Sequence, residues 1–222
     1  MDAEEQKIWQ RVLEAQKLLQ KHFPELVLVG GTAAALHCHH RYSLDGDHVM
    51  TDLKERFVET LEKLEALAGW KTARVRYPVL ILGNLEGVET GIRQLRRTVP
   101  LETEMLMGFR IPTLAEMARV KGWLIVTRNS TRDYLDFCAL CERLGENYIE
   151  AIQPMDIYYP QDNSETVTRQ LCKQLAEPKP YDLEEHDLRK YRGIEPPWND
   201  WTHVCANCTK ISEVISERIL GL

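Results

Sequence analysis

The 222-residue chain has no long apolar run: nothing in it approaches the roughly 20 consecutive apolar residues that span a bilayer. It also lacks the basic-then-apolar order of a secretory leader, since MDAEEQKIWQRVLEAQ is acidic and amphipathic. Those two absences predict a cytoplasmic protein with no membrane contact. There is no surplus of basic charge. A net charge of −6 argues against general coating of nucleic acid but leaves room for a local basic groove. Internal repeats and low-complexity segments are missing too. With 44% hydrophobic and 28% charged residues, the composition is that of a globular protein, not a disordered or fibrous one. The length suits one large domain or two small ones.

Cysteine is present six times, at Cys38, Cys138, Cys141, Cys172, Cys205 and Cys208. In a cytosolic chain these thiols stay reduced. Four of them form two CxxC pairs, and a zinc site is one reading of such spacing. A packed helix is the favoured reading. Cys138 and Cys141 lie in YLDFCALCERL, which carries none of the turn residues of a zinc knuckle.

Periodicity predicts an amphipathic helix over 4–22, with Ile8, Val12, Ala15 and Leu19 on one stripe and Pro24 ending it. A short strand over 26–29 follows, closed by Gly30-Gly31. Thr32 opens the next helix. A strand is expected over 42–50, and a helix over 52–68 with Asp52 at its start. Two or three strands are expected within 72–97, YPVLILGN and VETGIRQL being the clearest. After Pro100 the pattern turns helical, over about 113–128, 131–144, 164–176, 182–191 and 199–219. Asn199 or Asp200 is the cap of the last helix. The chain thus divides into an α/β part over 1–110 and a mainly helical part over 111–222.

Two short segments carry chemistry. Gly30-Gly31-Thr32 stands between a strand and a helix, where glycine lets the backbone approach a phosphate and the helix start offers free N–H groups. In Ser43-Leu44-Asp45-Gly46-Asp47, residues two apart on a strand face the same way, so Asp45 and Asp47 aim both carboxylates at one spot. Two such charges repel unless a cation lies between them, which is the arrangement of metal-assisted phosphoryl transfer. Either segment alone also fits an ordinary turn. The basic residues Lys71, Arg74, Arg76, Arg93, Arg96 and Arg97 fit a solvated sheet face and are the best local candidates for an RNA-contacting groove. His37, His39 and His40 suggest a metal site, but polar histidines at a helix end are the favoured reading.

Taken together, VGGTAAALHCHHRYSLDGDHV resembles the active-site opening of the polymerase-beta-like nucleotidyltransferases, and HHRYSLDGD resembles the AbiEii/AbiGii toxin family. A distant segment extends the likeness. On the apolar helix RIPTLAEMARVKGWLIVTRN, Lys121 and Arg128 share the face of Leu114, Met117 and Ile125. A lysine so placed should meet an acid or a phosphate. In the next helix Asp133 is accounted for by the first-turn dipole, whereas Asp136 sits among Leu135, Phe137 and Cys138 without such a reason. Lys121, Arg128, Arg132, Asp133 and Asp136 together resemble the second half of the AbiEii-type signature.

The resemblance implies an α+β fold, with a small mixed-sheet nucleotidyltransferase core and a helical half that completes the cleft. It implies two Mg²⁺ ions on Asp45 and Asp47 and a third carboxylate on a later strand, Glu89 in preference to Glu86. Gly30, Gly31, Thr32, Ser43, Lys121 and Arg128 would bind the nucleoside triphosphate, and Asp136 would complete the site beside Lys121. The implied reaction moves a nucleotide from an NTP to an acceptor hydroxyl, tRNA in the best-understood branch, with the protein acting as a toxin paired with a cognate antitoxin. Transfer to a protein or small molecule, or a lapsed nucleotide-binding module, are the alternatives.

Overall fold

A computed structural model describes residues 3–162, 165–185 and 187–222. The chain falls into two units. The first runs to Leu36 and from Tyr42 to Pro112; the second is His37–Arg41 with Thr113–Leu222.

The first unit is a mixed sheet with helices on one face. Its elements in order are α1 (Ala3–His22), β1 (Val27–Val29), α2 (Gly30–Cys38), β2 (Asp45–Met50), α3 (Leu53–Glu65), β3 (Trp70–Arg76), β4 (Leu80–Leu85), β5 (Val88–Gln94), β6 (Thr103–Leu106) and β7 (Phe109–Pro112). The five-stranded sheet has the order β1-β2-β5-β4-β3. Only β2 and β5 are parallel; the other neighbours run antiparallel.

Alternation along the strands makes one face buried and the other open. On the buried face Met50, Ile81, Leu85 and Ile92 pack with Leu19 of α1 and with Leu53, Phe57 and Leu64 of α3. Each such side chain contributes about 1.5–3 kcal/mol by leaving water. A polar strip runs through this layer. The Thr90 hydroxyl lies 2.8 Å from Gln16 Oε1 and 2.7 Å from the Gly46 carbonyl. Gly46 makes room for this contact, because a Cβ would come within 2.2 Å of the Gln16 side chain and displace it. His48 is fully buried two residues further on.

The second unit is helical: α4 (Leu114–Arg128), α5 (Thr131–Leu144), α6 (Tyr148–Ile152), α7 (Met155–Tyr158), α8 (Val167–Ala176) and α9 (Trp201–Ile215). Its core joins Ile125, Tyr134, Phe137, Cys138, Leu171, Val204, Cys208 and Ile211. Thr113 caps α4 by accepting from the Glu116 N–H, and Asp200 caps α9 by accepting from the Thr202 N–H. No helix among the described residues is long and apolar enough to cross a membrane.

Several local expectations change. The strand expected over 42–50 begins only at Asp45, and Asp52 makes no side-chain cap. Residues 103–112 form a hairpin, β6–β7, where no element was expected. Its turn places Met107 and Gly108 at φ 52° and 83°, a two-residue geometry usually announced by Asn-Gly; methionine in the first position hides the signal. The helix expected over 182–191 is a run of turns with one 3₁₀ turn at Leu188–Lys190, and His186 within it lies outside the described residues. The reason is Asp182, whose carboxylate is drawn away from its own segment. It accepts from the Thr131 N–H and hydroxyl and from the Ser130 hydroxyl, each at 2.7 Å, and so caps α5 from a distance. Ser130 occupies the cap position but makes no side-chain cap of its own. The helix expected from 164 starts at Val167, and Ser164 lies outside the described residues.

Candidate active site

The open face of the first unit's sheet gathers the acidic pair. Asp45 and Asp47 stand on the outward-facing positions of β2, while Gly46 and His48 point inward. Register brings Glu89 of β5 beside Asp45 and Gly91 beside Asp47. Glu86 instead sits in the β4–β5 turn at φ 53°, so Glu89 is the glutamate level with the pair. Asp47 is engaged by Arg93 of β5, whose Nε donates to Oδ1 at 3.1 Å. The Ser43 hydroxyl donates to Asp45 Oδ1 at 2.8 Å.

Gly30 and Gly31 form the first turn of α2 itself, with no separate loop before it. Gly30 has φ +72°, and a Cβ there would lie 3.6 Å from the Asp47 Cβ. The helix start and its unpaired N–H groups therefore abut the acidic pair, and both glycines are partly exposed. Thr32, expected to face a phosphate, is buried and donates its hydroxyl to the Asp45 backbone carbonyl. It ties the helix to the strand that carries the acids.

Among the described residues, no three side chains of His, Cys, Asp or Glu converge closely enough to hold an ion. Mg²⁺ makes a smaller demand. It keeps several waters and commonly uses one or two protein carboxylates together with substrate phosphates. Asp45 and Asp47, hard oxygen donors on one open face, fit that requirement.

In the second unit, Lys121 and Asp136 meet. Lys121 Nζ lies 2.7 Å from Asp136 Oδ2 and 3.0 Å from Asp133 Oδ1, with the lysine side chain only 2% exposed. Burial alone would lower this ammonium, but Asp136 and Asp133 hold it above its usual 10.5. Asp136 has two further partners. Arg41 donates to it from Nε at 2.8 Å and Nη2 at 2.9 Å, and His40 Nε2 lies at 2.7 Å. Burial would raise the Asp136 carboxyl, yet Arg41, Lys121 and His40 together keep it well below 3.8. Asp133 also accepts a forked pair from Arg128, whose side chain remains 52% exposed.

Asp133 is thus a full member of the ion cluster, more than a first-turn charge. The missed members are His40 and Arg41. They stand in HHRYSLDGD, but nothing local predicts that they reach a residue on α5. The segment they anchor continues directly into Tyr42, Ser43 and the acidic strand. The four CxxC cysteines come from facing helices, α5 and α9, with Cys138 and Cys208 Sγ atoms 3.3 Å apart. The hydrogen bond to Cys208 and burial hold the Cys138 thiol far above its usual range, and burial does the same to Cys141. Such protonated thiols pack as small apolar groups.

Two histidines set a pH dependence. Burial pushes the His48 imidazole down to about 3, the Gly91 backbone offsetting only part of that. Burial likewise lowers His40, against the pull of Asp136. A neutral His40 facing a carboxylate must carry its proton on Nε2. Both groups are depressed, so their contribution to stability is complete above 6.5 and is lost as the pH falls, because the unfolded chain then takes up protons that the fold refuses. The loss approaches about 1.4 kcal/mol per pH unit for His48, and His40 adds to it in the same direction. Urea midpoints should therefore decline steadily from pH 7 to pH 5. A flat midpoint across that range would show that the two imidazoles are not held neutral.

No family model matches the chain. Two solved structures resemble it from end to end. JHP933 from Helicobacter pylori gives a TM-score of 0.58 at 13% identity, covering 100% of this chain and 95% of that one. A protein from H. pylori described as a candidate nucleotidyltransferase gives 0.60 at 14% identity, covering 100% and 98%. The likeness is one of fold: a mixed sheet followed by a helical half, as in those two structures. Among curated proteins, the chain is similar to the mycolic acid-containing lipids exporter MmpL11 of Mycolicibacterium smegmatis, at 34% identity over 132 residues. It is also similar to the heme uptake protein MmpL11 of Mycobacterium tuberculosis, at 32% over 135 residues. These matches take in 56% and 55% of this chain but only 13% of each relative's length.

Proposed function

We propose that this protein is a nucleotidyltransferase that moves a nucleotide from an NTP to an acceptor hydroxyl on RNA, tRNA being the first candidate. The observation that carries the reading is the placement of Asp45 and Asp47 on one open sheet face, directly beside the glycine-opened start of α2. A helix start attracts the phosphates of a nucleotide. The acidic pair would hold Mg²⁺, which supplies charge neutralisation and polarises phosphoryl oxygens.

The chain's own residues do the rest. The Gly30 and Gly31 N–H groups orient the triphosphate, and Ser43 fixes the Asp45 carboxylate. Arg93, already on the same face, offers a cation to the phosphates. The acceptor oxygen forms a bond to the α-phosphorus while the bond to the bridging oxygen breaks. Pyrophosphate leaves with that electron pair, and the hydroxyl proton passes to solvent. Glu89, level with Asp45, adds a third carboxylate to the same face. Lys121, Asp136, Asp133 and Arg41 are positioning residues that anchor the chain just ahead of Ser43. On the sequence resemblance, the reaction belongs to the toxin of a toxin–antitoxin pair.

The test is incubation of the full chain with each α-labelled NTP, Mg²⁺ and total cellular RNA. Label on RNA, lost when Mg²⁺ is chelated, is the expected result. Label on protein or on a small molecule would replace the acceptor. Absence of label with intact NTP binding would overturn the enzymatic reading.

A further inference from the structure

The edge strand β3 has the sequence Trp70-Lys-Thr-Ala-Arg-Val-Arg76, with no acid in it, and every residue after Trp70 is exposed. Lys71 and Arg74 are three apart, so on a regular strand they would point to opposite faces. They do not, because the ladder to β4 is interrupted between Thr72 and Arg74, with Ala73 as the extra residue. Before the bulge Lys71 pairs with Asn84, and after it Arg74 pairs with Leu82 and Arg76 with Leu80.

Directly opposed residues share a sheet face, and the register can be followed across the sheet. Asn84, Leu82 and Leu80 lie beside Glu89, Gly91 and Arg93 on β5. Those in turn lie beside Asp45, Asp47 and Val49 on β2. All three cations of β3 therefore stand on the open face that carries the acidic pair, three strand spacings or about 14 Å away. Next to β3 the β4 positions of this face carry no charge, and on β5 the exposed Glu89 and Arg93 stand on either side of Gly91. Leu80, Leu82 and Asn84 are half-exposed, and the Leu82 side chain lies over the buried Gly91, where a Cβ would come within 2.5 Å of it, so the apolar surface reaches toward Asp47. Among the described residues, Lys71, Arg74 and Arg76 have no acidic partner, whereas the other basic residue of this face, Arg93, is paired with Asp47.

We infer that this face is the acceptor track. A single-stranded end of RNA lies across the sheet, its backbone phosphates on Lys71, Arg74 and Arg76, its bases over Leu80 and Leu82, and its terminal hydroxyl at Asp45 and Asp47. The inference rests on the nucleotidyl-transfer reading above and names where that acceptor binds. A row of unpaired cations that follows one backbone, followed by an apolar platform, is the arrangement by which proteins hold single strands. An acidic protein partner would need its charges confined to the β3 edge and would have no use for the apolar platform of Leu80 and Leu82.

The test uses the full chain carrying Asp45→Asn, so that affinity is read without turnover. A short fluorescent single-stranded RNA is titrated over a range of NaCl concentrations. The triple variant Lys71→Gln, Arg74→Gln, Arg76→Gln should weaken binding at least about tenfold near 0.1 M salt. It should also reduce the slope of log K against log salt by about 2, as expected for three phosphate contacts on a single strand. Lys54→Gln is the control, an exposed lysine on α3 in the layer behind the sheet, and should change neither quantity. Unchanged affinity in the triple variant, no RNA binding by the parent, or competition by polyglutamate equal to that by RNA would each overturn the acceptor track. The transfer assay fails separately. Label that ends on protein while the triple variant still loses RNA affinity would remove RNA as acceptor and leave the binding face standing.

Discussion

Asp47→Ala, and equally Asp45→Ala, should cut transfer of labelled nucleotide by on the order of 1000-fold or more, which corresponds to upwards of about 4 kcal/mol in the barrier. The fold should hardly notice. Asp47 gives up only its link to Arg93, a partly exposed pair with the arginine side chain 46% and the aspartate 34% accessible, and such pairs contribute about 0–1 kcal/mol. Relief of the repulsion between two same-face carboxylates offsets part of even that. The two measurements are turnover under saturating NTP and Mg²⁺ and the thermal midpoint of the same preparations. Wild-type turnover in either variant would remove the acidic pair from the chemistry. A collapse of the midpoint would show that the pair is structural.

Lys121→Met should cost about 3–5 kcal/mol of folding stability, because it strips a buried cation from two buried carboxylates. Asp136→Asn should be comparably harmful, since it leaves Lys121 and Arg41 facing a neutral amide. The double variant should fall short of the sum by about 0.5–3 kcal/mol, as contacting members of one network do. Strict additivity in a urea-denaturation cycle would show that the two residues act independently. The network has a definite pH window. Asp136 is depressed in the fold, so its contribution is present above the unfolded carboxyl range near 3.9 and is lost as the pH falls through it and below. Lys121 is raised, so its contribution is complete below about 10.5 and is lost as the pH rises above it. Acid should therefore unfold the wild type with a steeper pH dependence than the Asp136→Asn variant.

The part of this protein legible in sequence was the part governed by local rules. The 3.6-residue apolar spacing of Val12, Ala15 and Leu19 marked α1, and the same spacing marked α3. The two-residue spacing of Asp45 and Asp47 put them on one face wherever β2 went. A lysine on an apolar helix face had to find an anion. The signals that failed were those in which a distant partner overrides the local preference. Asp182 looked like a helix start and became the cap of another helix. Thr32 looked ready for a phosphate and became a strap onto the Asp45 carbonyl.

By itself, then, the sequence determined the kinds of element, the acidic pair and the need to pair Lys121, because those follow from backbone periodicity and from the cost of burying charge. Only the tertiary structure decided which groups meet. It gave Asp136 three partners instead of one, turned His40 and Arg41 inward to reach it, and set Glu89 beside Asp45 through the register of β2 against β5. It also placed one bulge at Ala73, which set Lys71 on the same face as Arg74, Arg76 and the aspartates. The physical reason is that strand register and side-chain pairing between remote segments are settled by packing and by satisfying buried charge across the whole fold, and a one-residue shift in a strand reverses the face of every side chain on it.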